Sequence, residues 1–190
     1  MKTRDSGMPD EDWWNTFFDP PAILRALGLD QIAGPVIDVG CGYGTFTLAI
    51  ARCTPHEVIA LDIEPDLVAE VAKRAVGFGL PHVRPHVLDA TTGSLGVDVH
   101  GADVVLLFNL LHCEAPLALL AAAHTALRPG GRVGVIHWRS DVATPRGPDF
   151  SIRPKPEQCR SWLLDAGFVI DREVTILPPY HFGVVGRTEI

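Results

Sequence analysis

After residue 35 the apolar and polar positions alternate between two patterns. Short unbroken apolar runs at Val36–Val39, 58–61 and Ala102–Phe108 read as strands, the last buried on both faces. Between them, residues 45–52, 65–76 and 116–127 read as helices. Pro65 stands where the first helical turn accepts proline, because its missing N–H would have no partner there. Residues 83–88 form a weaker third strand. Pro129-Gly130-Gly131 marks a turn before a fifth strand at 132–138. A helix over 156–166, ended by Gly167, precedes two final strands at 168–177 and 182–188, joined through Pro178-Pro179.

Strands that alternate with helices predict an α/β fold, doubly wound around a mostly parallel sheet of seven strands. The 190 residues suit a single domain spanning 1–190, with a helical lead-in over 1–35 and a core over 36–190. An apolar share of 47% excludes wholesale disorder. The net charge of −7 gives no electrostatic reason to expect a nucleic acid or an anionic membrane as partner. The first twelve residues are polar and acidic, unlike a secretory leader, and no apolar run reaches the roughly 18 residues that span a bilayer. Cys41, Cys53, Cys113 and Cys159 are widely spaced, which predicts reduced thiols, a cytoplasmic protein and no metal site.

The first strand runs directly into Asp38-Val39-Gly40-Cys41-Gly42-Tyr43-Gly44. Glycines at a strand end let backbone approach a ligand beyond the sheet's carboxyl edge. Asp62 closes the second strand, twenty residues after Gly42, where a carboxylate suits the two hydroxyls of a ribose. A dinucleotide turn needs G-x-G-x-x-G, yet the third position falls on Thr45 or Thr47, which counts against a nicotinamide-dependent oxidoreductase. The observed D-x-G-x-G-x-G resembles the first motif of the class I S-adenosylmethionine-dependent methyltransferases, over roughly residues 16–176. Asp62 in Ala60-Leu61-Asp62-Ile63-Glu64 and Asp89 in Val87-Leu88-Asp89-Ala90 match the family's ribose and adenine acids. Phe108-Asn109-Leu110-Leu111-His112 and Leu127-Arg128-Pro129-Gly130-Gly131-Arg132 match its later motifs.

The resemblance implies a Rossmann-like methyltransferase fold with an antiparallel C-terminal strand. It implies S-adenosylmethionine as cofactor and S-adenosylhomocysteine as product. The implied cofactor residues are Asp38, Gly40, Cys41, Gly42, Gly44, Asp62, Ile63, Asp89, Ala90 and Asn109.

Methyl transfer from a sulfonium mainly requires alignment and exclusion of water, with a base only where the acceptor carries a proton. His112 and His137, at the ends of the fourth and fifth strands, are the catalytic candidates. Cys113, Trp138 and Arg139 share those strand ends and are candidate acceptor contacts. The long segment 139–155 concentrates Arg139, Arg146, Arg153 and Lys155, and reads as a substrate loop suited to an acidic acceptor. Trp14 and Phe18 belong to an aromatic lead-in that reads as a lid, and Phe17-Phe18-Asp19-Pro20 resembles the start of small methyltransferases of the quinone-biosynthesis type. With no large inserted substrate domain in view, the lead-in and the 139–155 segment are the material for specificity, which favours a small-molecule acceptor. Two further readings stay open at this point: a catalytically silent cofactor-binding domain, and a metalloid (arsenite) methyltransferase using Cys41 and Cys113.

Overall fold

Strands β1 (Val36–Val39) and β4 (Ala102–Phe108) are buried along their whole lengths, and they lie side by side at the centre of the sheet. A computed structural model describes residues 9–90, 95 and 101–190. The first eight residues of the lead-in lie outside the described residues. The other strands are β2 (Val58–Asp62), β3 (Val83–Val87), β5 (Leu127–Trp138), β6 (Val169–Leu177) and β7 (His181–Arg187). Their order is β3-β2-β1-β4-β5-β7-β6, with β7 antiparallel to both of its neighbours and β1–β5 parallel. The sheet therefore has the doubly wound, mostly parallel form expected. The direction of winding reverses between β1 and β4, which opens a crevice at their carboxyl ends.

Six helices are described: α1 (Glu11–Asn15), α2 (Pro20–Ala26), α3 (Thr45–Ala51), α4 (Pro65–Gly77), α5 (Pro116–Ala126) and α6 (Pro156–Asp165). Prolines open α2, α4, α5 and α6, where no backbone N–H is needed. Asp10 and Asp19 cap α1 and α2 by accepting from their first N–H groups.

Alternation along the central strands sends side chains to two separate cores. Val36, Val104, Leu106 and Ile136 pack with Ile23 and Leu24 of α2 and Phe46 and Leu48 of α3. Ile37, Val39, Val105 and Leu107 pack with Leu119 and Leu120 of α5 and Cys159 and Leu163 of α6. The weak third strand is explained by its place. β3 is an edge strand with only Val83 fully buried, and an edge tolerates Pro85 because one side has no ladder to feed.

One expected boundary moves. The Pro129-Gly130-Gly131 segment does not separate two elements but lies inside β5, which starts at Leu127. Ala102 pairs with Leu127 and Val104 with Arg132, so the extra residues bulge out of the ladder. Gly130 takes φ 73°, a left-handed conformation that glycine adopts without penalty.

Candidate active site

The glycine turn is held by the strand beside it. The N–H groups of Gly40 and Cys41 both donate to the Leu61 carbonyl, at 2.7 and 2.9 Å. Gly40 and Gly44 have φ of 70° and 78°, where a side chain would be strained. A Cβ on Gly40 would also lie 2.9 Å from the Leu110 side chain, and one on Gly44 3.0 Å from Val71. Asp62 braces the turn, accepting from the Gly42 N–H at 2.8 Å and the Glu64 N–H at 3.0 Å. A carboxylate has about four lone-pair sites, so acceptor capacity remains for ribose hydroxyls. Asp89 follows β3, and the Leu88 N–H donates to the Asp62 carbonyl at 2.8 Å, which aligns the two strand ends. Ile63, next to Asp62 in the chain, is 38% exposed.

Asp38 is buried beneath the turn, where the Thr47 hydroxyl donates to it at 2.5 Å. Burial chiefly, and then the Asp62 charge, push its pKa up to about 7, against the pull of Thr47. Asn109 directly follows β4 with φ 59°, a conformation uncommon outside glycine. Its N–H donates to the Ile136 carbonyl at 2.8 Å, while its buried Oδ1 has no partner. A buried acceptor without a partner, in a left-handed residue at the switch point, marks a position where a ligand's donor would be accommodated.

The expected acceptor residues divide between the two faces of the sheet, because His137 and Trp138 are consecutive on β5 and point opposite ways. On one face His137 meets His112, with Nε2 and Nδ1 3.2 Å apart. His112 and Cys113 line a cleft of about 570 Å³ with Glu114, Arg153, Gln158 and Trp162. On the other face Trp138, 2% exposed, packs against Phe17, Phe18 and His181, with ring centroids 5.3, 6.5 and 4.2 Å away. Trp14 is half-buried and packs on Phe18 at 4.9 Å. Phe18 in turn meets Phe46 at 5.3 Å.

The lead-in is tied across the glycine turn. The Tyr43 hydroxyl donates to the Pro9 carbonyl at 2.7 Å, Thr45 donates to Asn15 at 3.2 Å, and Arg74 of α4 pairs with Glu11. Three cations of the 139–155 segment are engaged by the chain itself, and Arg153 alone of the four is buried. Arg139 grips Asp141 with two bonds of 2.9 and 2.7 Å, and Arg146 lies over the Trp13 ring at 6.0 Å. Arg153, 7% exposed, donates to the carbonyls of Pro148, Arg139 and Arg146. Sequence reasoning missed His181, Gln158 and Trp162. His181 reaches the site only because β7 inserts antiparallel beside β5 and pairs His181 with Trp138, which no local pattern reveals.

The Cys41 thiol lies 4.0 Å from the Gly42 carbonyl, and burial pushes its pKa, like that of Cys113, upward and away from the thiolate that binds soft ions. Among the described residues no cluster of three metal-ligating side chains occurs, and no helix is long and apolar enough to cross a membrane.

Residues 36–131, from the first strand through the glycines of β5, match the family model described as a methyltransferase domain. The chain belongs to that family. This methyltransferase is 30% identical over 186 residues to a ubiquinone biosynthesis O-methyltransferase of Xylella fastidiosa, covering 84% of the chain and 74% of that protein. It is 30% identical over 156 residues to a tRNA U34 carboxymethyltransferase of Cellvibrio japonicus, covering 75% of the chain but only 48% of the relative. The chain thus spans about half the length of some of the curated relatives it matches. In fold it is similar to a SAM-dependent methyltransferase from Aquifex aeolicus, with a TM-score of 0.81, 22% identity and 94% of each chain covered.

S-adenosylmethionine is the cofactor of this methyltransferase domain. The residues present fit it. The bare turn at Gly40 admits close approach, Asp62 keeps lone pairs for a ribose, and the orphaned Asn109 Oδ1 can accept from an ammonium.

Proposed function

We propose that this methyltransferase acts on a small-molecule acceptor, with Asp38, Asp62, Asp89 and Asn109 holding S-adenosylmethionine and His112 serving as base. The observation that carries this reading is the lead-in itself. Pro9, Glu11 and Asn15 tie a short aromatic segment over the glycine turn, beside the 139–155 segment whose Arg146 lies over the Trp13 ring. Such a closure suits a molecule small enough to be surrounded, and excludes water from the transfer. When bound, S-adenosylmethionine supplies a methyl group on sulfur, and the C–S bonding pair stays with sulfur as a neutral thioether. The chain's own work is to orient the acceptor and, where that acceptor carries a proton, to take it.

The test is a methyl-transfer assay, corrected for cofactor hydrolysis, across small hydroxyl, carboxyl, amine and thiol compounds, with tRNA and proteins as macromolecular acceptors. Transfer to a small compound is expected. Transfer only to RNA or protein would overturn the reading, and cofactor binding without transfer to anything would mark a silent domain. His112→Ala is expected to lower kcat by about 10²-fold, within the usual range for loss of a general base. Cofactor affinity, measured by calorimetry, should change less than about twofold, since His112 lies on the acceptor side. Unchanged turnover would remove His112 from the mechanism.

A further inference from the structure

The geometry points to His181 as a specificity-determining residue, whose ring nitrogens bond a hydroxyl on a flat, uncharged acceptor beneath the aromatic lead-in. This deepens the reading of a small-molecule acceptor and rests on it, though not on the choice of His112 as base. Among the described residues, the buried side-chain atoms without a hydrogen-bond partner are Asn109 Oδ1 and both ring nitrogens of His181. Both side chains stand on the carboxyl edge of the sheet. Asn109 directly follows β4, and His181 opens β7 opposite Trp138, the last residue of β5. Only β5 lies between β4 and β7, so the two orphans are separated by two strand spacings, about 10 Å across the sheet. Ligands of such sheets bind along this edge. His181 lies on the side of Asn109 away from the glycine turn, where the next molecule along the edge after the cofactor would sit.

The surroundings of His181 are aromatic. Its ring centroid lies 4.2 Å from that of Trp138 and 4.6 Å from that of Phe18. Tyr180 stacks on Trp138 at 6.2 Å, and Phe17 meets Trp138 at 5.3 Å. An unpartnered polar ring in such a place costs free energy that leucine would not, so packing alone does not account for it. Burial chiefly, with the Arg153 charge in the same direction, lowers the pKa of His181 to about 3, and the ring is neutral. A neutral imidazole has one N–H and one lone pair. A hydroxyl both donates and accepts, so it satisfies either nitrogen. A carboxylate would lose its water against a neutral ring, while Arg153 already donates to three carbonyls. Planar walls suit a planar ligand. Phe17 and Phe18 belong to the lead-in, whose helix α1 contains no buried residue, so this cover yields more easily than the sheet beneath it.

The probes are phenol, toluene and benzoate, titrated into the protein saturated with S-adenosylhomocysteine and followed by NMR. Phenol should bind about tenfold more tightly than toluene, which leaves the buried imidazole unpaired, and more tightly than benzoate. It should also shift the ring 15N signals of His181. In His181→Leu the preference for phenol over toluene should vanish, with S-adenosylhomocysteine affinity changed less than about twofold. His181→Gln, which keeps a donor and an acceptor, should retain part of the preference. A native protein that binds phenol and toluene equally, prefers benzoate, or binds none of the three overturns the assignment without needing any variant to fold. A phenol preference that survives His181→Leu overturns it as well. Methyl transfer to small compounds would stand in each of these cases, whereas transfer only to RNA or protein would remove the reading beneath.

Discussion

Replacing Asp38 by asparagine is expected to weaken S-adenosylmethionine binding by about a hundredfold while stabilising the cofactor-free protein above neutral pH. Both effects come from one buried carboxyl. Its pKa rises from 3.8 to about 7, first through burial and then through the Asp62 charge. A carboxyl whose folded pKa lies above its unfolded one is preferentially protonated in the fold. The stability it contributes is fully present below about pH 4 and is lost as pH rises through about 7. Each tenfold change is about 1.4 kcal/mol, so the loss at alkaline pH is on the order of 2–4 kcal/mol. Asparagine accepts the same Thr47 hydrogen bond without the charge, and so avoids that loss. The cofactor, a cation at sulfur and at its amino group, draws Asp38 into its ionised form. Affinity should therefore rise with pH through about 7 in the native protein and stay flat in the variant. Thermal unfolding and calorimetry across that range check both limbs. A variant with native affinity throughout would reduce Asp38 to a brace for the turn.

Much of the glycine turn's setting was legible because it is local. Asp38, the three glycines and Asp62 lie at two strand ends, and apolar runs with helical spacing between them fix which ends are neighbours. The two-face division of the acceptor residues was not legible at that level. His137 and Trp138 are adjacent in sequence and belong to different sites because a strand alternates its side chains. Nor could the cations of the 139–155 segment be sorted by composition. Arg139 is committed to Asp141, Arg153 to three carbonyls, and only the folded loop shows it. The pairing of His112 with His137 spans twenty-five residues and depends on β4 and β5 ending at the same height.

Arg153→Leu is expected to lower stability by about 2–4 kcal/mol, the cost of removing a buried charged donor from several acceptors. The guanidinium bridges three turns of one segment, with bonds of 2.7, 2.9 and 3.2 Å to the Pro148, Arg139 and Arg146 carbonyls. It also stacks on Phe150 at 4.1 Å and lies 5.9 Å from the Trp138 ring. Leucine fills part of the space and removes the donor from the Pro148 and Arg139 carbonyls, while the Arg146 carbonyl keeps the Thr144 hydroxyl at 2.6 Å, so the 139–155 segment should open and become sensitive to limited proteolysis. Arg153 also lines the cleft beside His112, and the acceptor KM should rise by about tenfold. Cofactor affinity should not follow, because Asp62 and the glycine turn are braced by β2 and not by this segment. Arg153→Lys should recover only part of the loss, since a compact ammonium cannot span three carbonyls as a planar fork does. Native protease resistance in Arg153→Leu would show that the segment is held by its aromatic contacts alone.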